Sequence, residues 1–309
     1  IADYKNYEKL YFIGGSSSWA NIRGLLTNNI PGLDLYEEEN FKSEANDVWG
    51  ISDKRLFMES NAILKKQTKP FFAVIQTADN HRPYTIPEED KATFILENHP
   101  EDTLKKYGFQ SNDELNAFRY MDYAIKTFIE SAKKEAYFEN TIFVFIGDHG
   151  IKGDAGALFP QAWEAQGLTS YHVPLLFYGP ALVKPARFHN TCSQLDLLPS
   201  VSALANISFI NSTLGKNLFD TLSPDVRFKN NAFIFDPGIK SIGMVTDEYS
   251  YTHNLLSGKQ EYYSSKDNLP LANTPAVAED KKALKILTGA YYETARYLLY
   301  NNKKENSAK

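Results

Sequence analysis

"NTIFVFIGDHG", residues 140–150, runs a compact apolar strand straight into Gly147-Asp148-His149-Gly150. The uninterrupted run from Ile142 to Ile146 reads as a strand covered on both faces, the pattern of parallel sheets rather than half-exposed ones. In such sheets ligands bind beyond the carboxyl ends of the strands, which is where Asp148 and His149 fall. A carboxylate beside an imidazole is a good ligand pair for Zn²⁺ or Mn²⁺, and flanking glycines permit close backbone approach. An Asp that merely shapes a turn is the simpler reading of the same residues. The strand end alone does not choose between them.

Three more apolar runs share this character: "PFFAVIQTA" (70–78), "VPLLFYG" (173–179) and "NAFIFD" (231–236). Helical patterns lie between them. Residues 52–67 open on a Ser-Asp cap signal and carry Leu56, Phe57, Ile63 and Leu64 at helical spacing. Residues 111–135 place Leu115, Phe118, Met121, Ile125, Phe128 and Ile129 on one stripe, with an acidic start and a lysine-rich end that suit the helix dipole. Residues 193–205 read as a shorter helix with Pro199 as an interior irregularity. Strands alternating with helices predict an α/β fold, a mainly parallel central sheet with helices on both faces. Beyond residue 238 the pattern changes to short strands joined at Asp247-Glu248 and Ser257-Gly258 over 239–270, then an amphipathic helix over 279–300. The expected organisation is an α/β core over 1–238 and a small antiparallel sheet with one helix over 239–309.

The 309 residues carry a formal charge of −5, which argues against nucleic acid or an anionic membrane surface as a general partner. Cys192 stands alone, so neither an intrachain disulfide nor a cysteine metal cluster can form, and it reads as a buried, inert thiol. No apolar run approaches the ~20 residues that span a bilayer.

Two other segments could carry chemistry. "QTADNHRPYTIPE" (76–88) follows a buried strand, and His81 and Arg82 there could hold an anionic or hydroxyl-rich group. A polar loop stiffened by Pro83 and Pro87 is the plainer reading. "YFIGGSSSWANIRGLL" (11–26) offers Gly14-Gly15 and three serines as a possible phosphate cradle, without the Lys and spacing of a P-loop. Ser16, Ser17 and Ser18 have no evident base beside them. Trp19 and Arg23 could line a cleft or serve as core and surface residues. His99, His172, His189, His253 and Asp196 read as structural or surface groups.

Taken in order, "GGSSSWANIR", "FFAVIQTADNHRPY", "YMDYAIKTFIESAKKEAYFENTIFVFIGDHG", "HVPLLFYGP" and "SQLDLLPSVSALANI" resemble the later part of the alkaline phosphatase superfamily. The similar branch is the sulfatase-like one that includes lipoteichoic acid synthases and phosphoglycerol transferases, and the resemblance runs from about residue 9 to 235. It implies that Asp148 and His149 are the late metal-ligand pair for Mn²⁺, Mg²⁺ or Zn²⁺. It implies that His81 contacts the phosphate or head group and that Trp19, with Arg23 near it, lines the substrate pocket, to which Arg82 is added from its place beside His81. The family's Trp-x-Arg spacing is not kept between Trp19 and Arg23.

In that family an acidic ligand and a Thr or Ser nucleophile precede the Gly-Gly segment, and here only about ten residues do. The expectation is therefore the C-terminal portion of a longer enzyme, anchored in a membrane through sequence ahead of Ile1 and acting outside the cytoplasm. Its implied activity is metal-dependent phosphoglycerol or related alkylphosphate transfer, or phosphodiester hydrolysis, on an ester such as a phospholipid head group or a glycan. With two of about four ligands, residues 1–309 alone should bind metal weakly and turn over little. A sulfatase and a non-catalytic binding module are the alternatives.

Overall fold

The computed structural model describes residues 4–151, 155–220, 227–267, 271 and 274–301. It divides into two compact units, Ile1–Leu158 with Val173–Pro185, and Phe159–His172 with Ala186–Lys309.

The first unit contains β1 (Glu8–Ile13), α1 (Ile22–Asn29), β2 (Leu33–Tyr36), α2 (Asp53–Leu64), β3 (Phe71–Gln76), α3 (Glu101–Lys106), α4 (Asn112–Ala132), β4 (Phe143–Ile146) and β5 (Leu175–Tyr178). Strands β2, β1 and β3 form a parallel sheet in that order, with Leu10 opposite both Asp34 and Ala73. Helices α1 and α2 are the crossovers that parallel neighbours require. The best-buried strand is β1, where Leu10 and Phe12 are 1% and 0% exposed. Lys9 and Tyr11 interrupt its apolar run, which is why "KLYFI" is less conspicuous in the sequence than its neighbours. The expectation that every apolar run is covered on both faces fails for β3 and β5, where Val74 and Leu176 are exposed.

Helix α2 starts where Ser52 Oγ accepts the backbone N–H of Arg55, and α4 where Ser111 Oγ accepts that of Glu114. The two helices pack together over the sheet, with Leu56, Phe57, Leu64, Ala124, Phe128 and Ala132 in one core with Leu10, Phe12 and Phe143. The fully buried face of α4 is Ala117, Tyr120, Ala124, Phe128 and Ala132, one position round from the apolar stripe read in sequence. Small residues let α2 approach closely, while Met121, Ile125 and Ile129 flank the contact half-buried.

Strand direction departs from expectation at two places. β4 and β5 pair antiparallel, Phe143 opposite Tyr178 and Ile146 opposite Leu175. An apolar run fixes burial but not direction. The "NAFIFD" run, β6 (Asn231–Asp236), is no part of the parallel sheet; it is the first strand of an antiparallel sheet in the second unit.

That sheet runs in the order β6, β7 (Ser241–Thr246), β8 (Tyr249–Asn254), β9 (Gln260–Ser264). Its turns fall at the predicted Asp247-Glu248 and around Ser257-Gly258; residues 268–270 of the expected hairpin region lie outside those described. The unit also holds α5 (Gln161–Ala165), α6 (Leu197–Leu204) and the long α7 (Pro275–Asn301). Met244, Tyr251 and Leu284 form its core, so α7 closes one face of the sheet. Pro199 sits in the first turn of α6, where a missing N–H costs no helical bond, and it causes no irregularity there. No helix of the described residues is long and apolar enough to cross a membrane.

Candidate active site

The six residues singled out as site candidates, Trp19, Arg23, His81, Arg82, Asp148 and His149, all belong to the first unit, and three of them, His81, Asp148 and His149, meet directly. Asp148 and His149 follow β4 after Gly147, where a Cβ would meet Val173 at 3.0 Å. Both are exposed, at 87% and 62% of their side chains. The His149 N–H donates to Asp148 Oδ1 at 2.8 Å, and Nδ1 lies 2.9 Å from the Gly150 carbonyl. An Nδ1–H donated to that carbonyl leaves the lone pair on Nε2. Nε2 lies 3.8 Å from Asp148 Oδ2, within the ~4 Å that separates two ligands each ~2.1 Å from one ion. The pair therefore fits a divalent cation as half of a ligand set. Among the described residues no group of three or more His, Cys, Asp or Glu side chains is placed to hold a metal.

His81 lies in the turn after β3, its ring centroid 6.2 Å from that of His149 at an interplanar angle of 72°. Its imidazole stacks on Trp49, 4.6 Å away and 30° inclined, and Trp49 meets Trp19 edge to face at 5.9 Å. Trp19 is 56% exposed. A row of aromatic rings thus leads from Trp19 through Trp49 and His81 to the Asp148–His149 pair. Trp49 is the member that sequence reading missed; "NDVWG" carries no motif, and only Gly50 beside it hints at a special backbone.

The two arginines are already engaged. Arg82 Nη2 donates to Gln110 Oε1 at 2.8 Å. Arg23 pairs with Glu37 and donates from Nε to Ser17 Oγ at 3.1 Å. Burial pushes the Glu37 carboxyl upward, but hydrogen bonds from the Ser17 hydroxyl and backbone and from Arg23 outweigh it and hold the group below the usual range. Ser17 is fully buried with its hydroxyl on Glu37, a bracing role rather than a nucleophilic one.

Gly14-Gly15 serve a crossing of two chain segments. A Cβ on Gly15 would fall 2.4 Å from the Trp49 carbonyl, and one on Gly50, at φ +102°, 1.9 Å from that of Gly14. The phosphate-cradle reading gives way to backbone packing.

A buried pair of acids lies beneath the His81 turn. Asp53 accepts the backbone N–H groups of Ala78 and Asp79 at 2.8 and 3.0 Å, and Asp79 Oδ2 accepts that of Asp53 at 2.7 Å. Burial raises both carboxyls, and the charge of Asp53 raises Asp79 further, to about 8. Asn80, between Asp79 and His81, carries a buried Oδ1 with no hydrogen-bond partner among the described residues. Asp196 in the second unit is structural, accepting the N–H groups of Ser193 and Lys216. Cys192 is half-buried rather than buried, and partial burial followed by the Asp196 charge raises its thiol.

The chain has the fold of the alkaline phosphatase superfamily, as its superposition on a member of that superfamily shows. The chain belongs to the sulfatase family, whose profile matches residues 3–207. It is similar to a lipoteichoic acid synthase-like protein of Bacillus subtilis, 26% identical over 219 residues, covering 67% of this chain and 32% of that protein. It is similar also to the lipoteichoic acid synthase of Staphylococcus aureus, 26% identical over 261 residues, covering 81% and 36%. The chain spans about a third of the length of these curated relatives. Among solved structures, an alkaline phosphatase superfamily protein from Vibrio parahaemolyticus superposes with TM-score 0.71 at 26% identity, covering 95% of this chain and 67% of that one. A lipoteichoic acid synthase from Listeria monocytogenes superposes with TM-score 0.68 at 18% identity, covering 96% and 71%, a likeness of fold.

Proposed function

We propose that this chain supplies the late metal ligands and the head-group wall of a phosphoglycerol or related alkylphosphate transferase of the sulfatase family, acting outside the cytoplasm on a membrane-anchored protein. The observation that carries the reading is the juxtaposition of the His81 ring with the exposed Asp148–His149 pair, 6.2 Å between ring centroids, at the ends of two strands. The relatives named as lipoteichoic acid synthases support phosphoglycerol over other esters.

Asp148 and His149 would hold Mn²⁺, Mg²⁺ or Zn²⁺ together with ligands from outside the described residues. A bound divalent ion there lowers the pKa of a hydroxyl nucleophile and polarises a phosphoryl oxygen. The chain's own residues do the rest of the work assigned to it. His81, one face covered by Trp49, donates to or protonates a phosphate oxygen or leaving group. Trp19 offers an exposed indole against the carbon skeleton of the head group. Arg82 and Arg23 contribute N–H groups beyond those given to Gln110, Glu37 and Ser17. The nucleophile of the reaction is proposed to be a Thr or Ser hydroxyl.

The test is transfer of glycerol phosphate from a phosphatidylglycerol-type lipid by the full-length enzyme in membranes supplied with Mn²⁺. Asp148→Asn is expected to lower the rate on the order of 100-fold or more. Turnover of an aryl sulfate ester exceeding that of phosphodiesters would move the assignment to a sulfatase, and no turnover of either would leave a binding module.

A further inference from the structure

We infer that Trp49 is a positioning residue for His81, setting the plane in which the imidazole meets the substrate. One indole contacts three of the residues on the substrate side. It stacks on the His81 ring at 4.6 Å and 30°. Its Nε1–H donates to the Arg82 carbonyl at 2.7 Å, pinning the backbone one residue further on. Its ring meets Trp19 at 5.9 Å and 78°. His81 is therefore held by its face and by the chain beside it while its ring lies 6.2 Å from His149. A positioning group must itself be immobile, and the backbone beneath Trp49 is. Gly50 at φ +102° crosses Gly14-Gly15 at a distance no Cβ would allow, and Ile51 N–H donates to the Gly14 carbonyl at 3.0 Å. The Trp49 N–H donates to Asp47 Oδ1 at 2.8 Å. The indole is thus placed by the end of β1, the best-buried strand of the unit, and hands that rigidity to a ring on a different loop.

The catalytic meaning of this inference rests on the reading of His81 as a head-group contact; the ring's orientation does not. The experiment follows the His81 side-chain proton resonances in the full chain, identified by their loss in H81Q. Stacking on an indole shifts them upfield. The shift is expected to persist in part in W49F, which keeps an aromatic face and loses only the N–H, and to disappear in W49L. Affinity for glycerol phosphate in the presence of Mn²⁺ should fall about fivefold in W49L and fall no further when W49L is added to H81Q, since both changes remove one coupled contact. His81 resonances that stay in place in W49L, or effects of W49L and H81Q that add, would overturn the inference. If H81Q binds glycerol phosphate like the wild type while W49L still moves the His81 resonances, the head-group reading fails and the positioning of the ring stands.

Discussion

The segments that follow β3 and β4 both end strands in polar residues, yet they are held in opposite ways. After β3, the turn from Ala78 to Tyr84 is braced on every side. Asp53 takes two of its N–H groups, Trp49 covers His81 and binds the Arg82 carbonyl, Gln110 takes the Arg82 guanidinium, and Glu114 accepts the Tyr84 hydroxyl at 3.0 Å. After β4, the hydrogen bonds of His149 run to its own neighbours, Asp148 and Gly150, and the side chains of Asp148 and His149 both stand in solvent. One loop is braced from several elements; the other leaves the proposed ligands open. The difference shows which part of the site this chain organises by itself, and it assigns stability and chemistry to different residues.

The largest effect should come from the base of the braced loop. Asp53→Ala leaves the buried N–H groups of Ala78 and Asp79 without their acceptor, at a cost of about 1–3 kcal/mol each. Unfolding by urea at pH 5, well below the value of about 8 to which Asp79 is raised, is expected to show a loss of roughly 3 kcal/mol. A loss within about 0.5 kcal/mol would mean that the brace is ornamental and the comparison is wrong.

Next comes the pH dependence of the same pair. Burial and then the neighbouring Asp53 raise Asp79 to about 8, whereas an unfolded aspartate titrates near 3.9. The folded state therefore binds the proton more tightly. Its contribution is fully present below about pH 4 and is lost as pH rises through about 8. Asp79→Asn keeps an acceptor for the Asp53 N–H and removes the titration. Between pH 5 and pH 8 the wild-type Tm is expected to fall about 5–10 °C further than that of D79N. Parallel Tm curves would show that the pair carries its charge without penalty.

Much of this architecture is legible in the sequence, and the gaps have physical causes. Ser52-Asp53 marks the start of α2 correctly, and the turns of the C-terminal sheet fall where Asp247-Glu248 and Ser257-Gly258 signal them. What Asp53 does with its carboxylate is invisible, because its partners lie 25 and 26 residues away. The same holds for Trp49, whose neighbours His81 and Trp19 come from separate loops. Strand direction escapes as well: the burial that makes "VPLLFYG" a strand is the same whether it runs parallel or antiparallel to β4. The α4 stripe is read one position off because alanines carry no apolar signal of their own, although they are what lets α2 come close. The placement of Asp148 and His149 beyond β4 is legible because both lie together at a strand end, so their pattern is local.

The smallest effect on stability should be found where the chemistry is proposed. Asp148 and His149 stand 87% and 62% exposed, and surface substitutions away from buried networks change stability by no more than about 0.5 kcal/mol. Asp148→Asn with His149→Ala is therefore expected to leave the Tm of the metal-free chain within about 2 °C of wild type, while Mn²⁺ binding followed by calorimetry falls at least ~10-fold. A stabilising effect of Mn²⁺ on the wild-type Tm should vanish with it, since a ligand stabilises only the state that binds it. If the double variant instead unfolds as readily as D53A, the loop after β4 is a structural brace and the contrast between the two strand ends collapses. If its stability holds and Mn²⁺ affinity is unchanged, the pair is the plain turn that its sequence also permits.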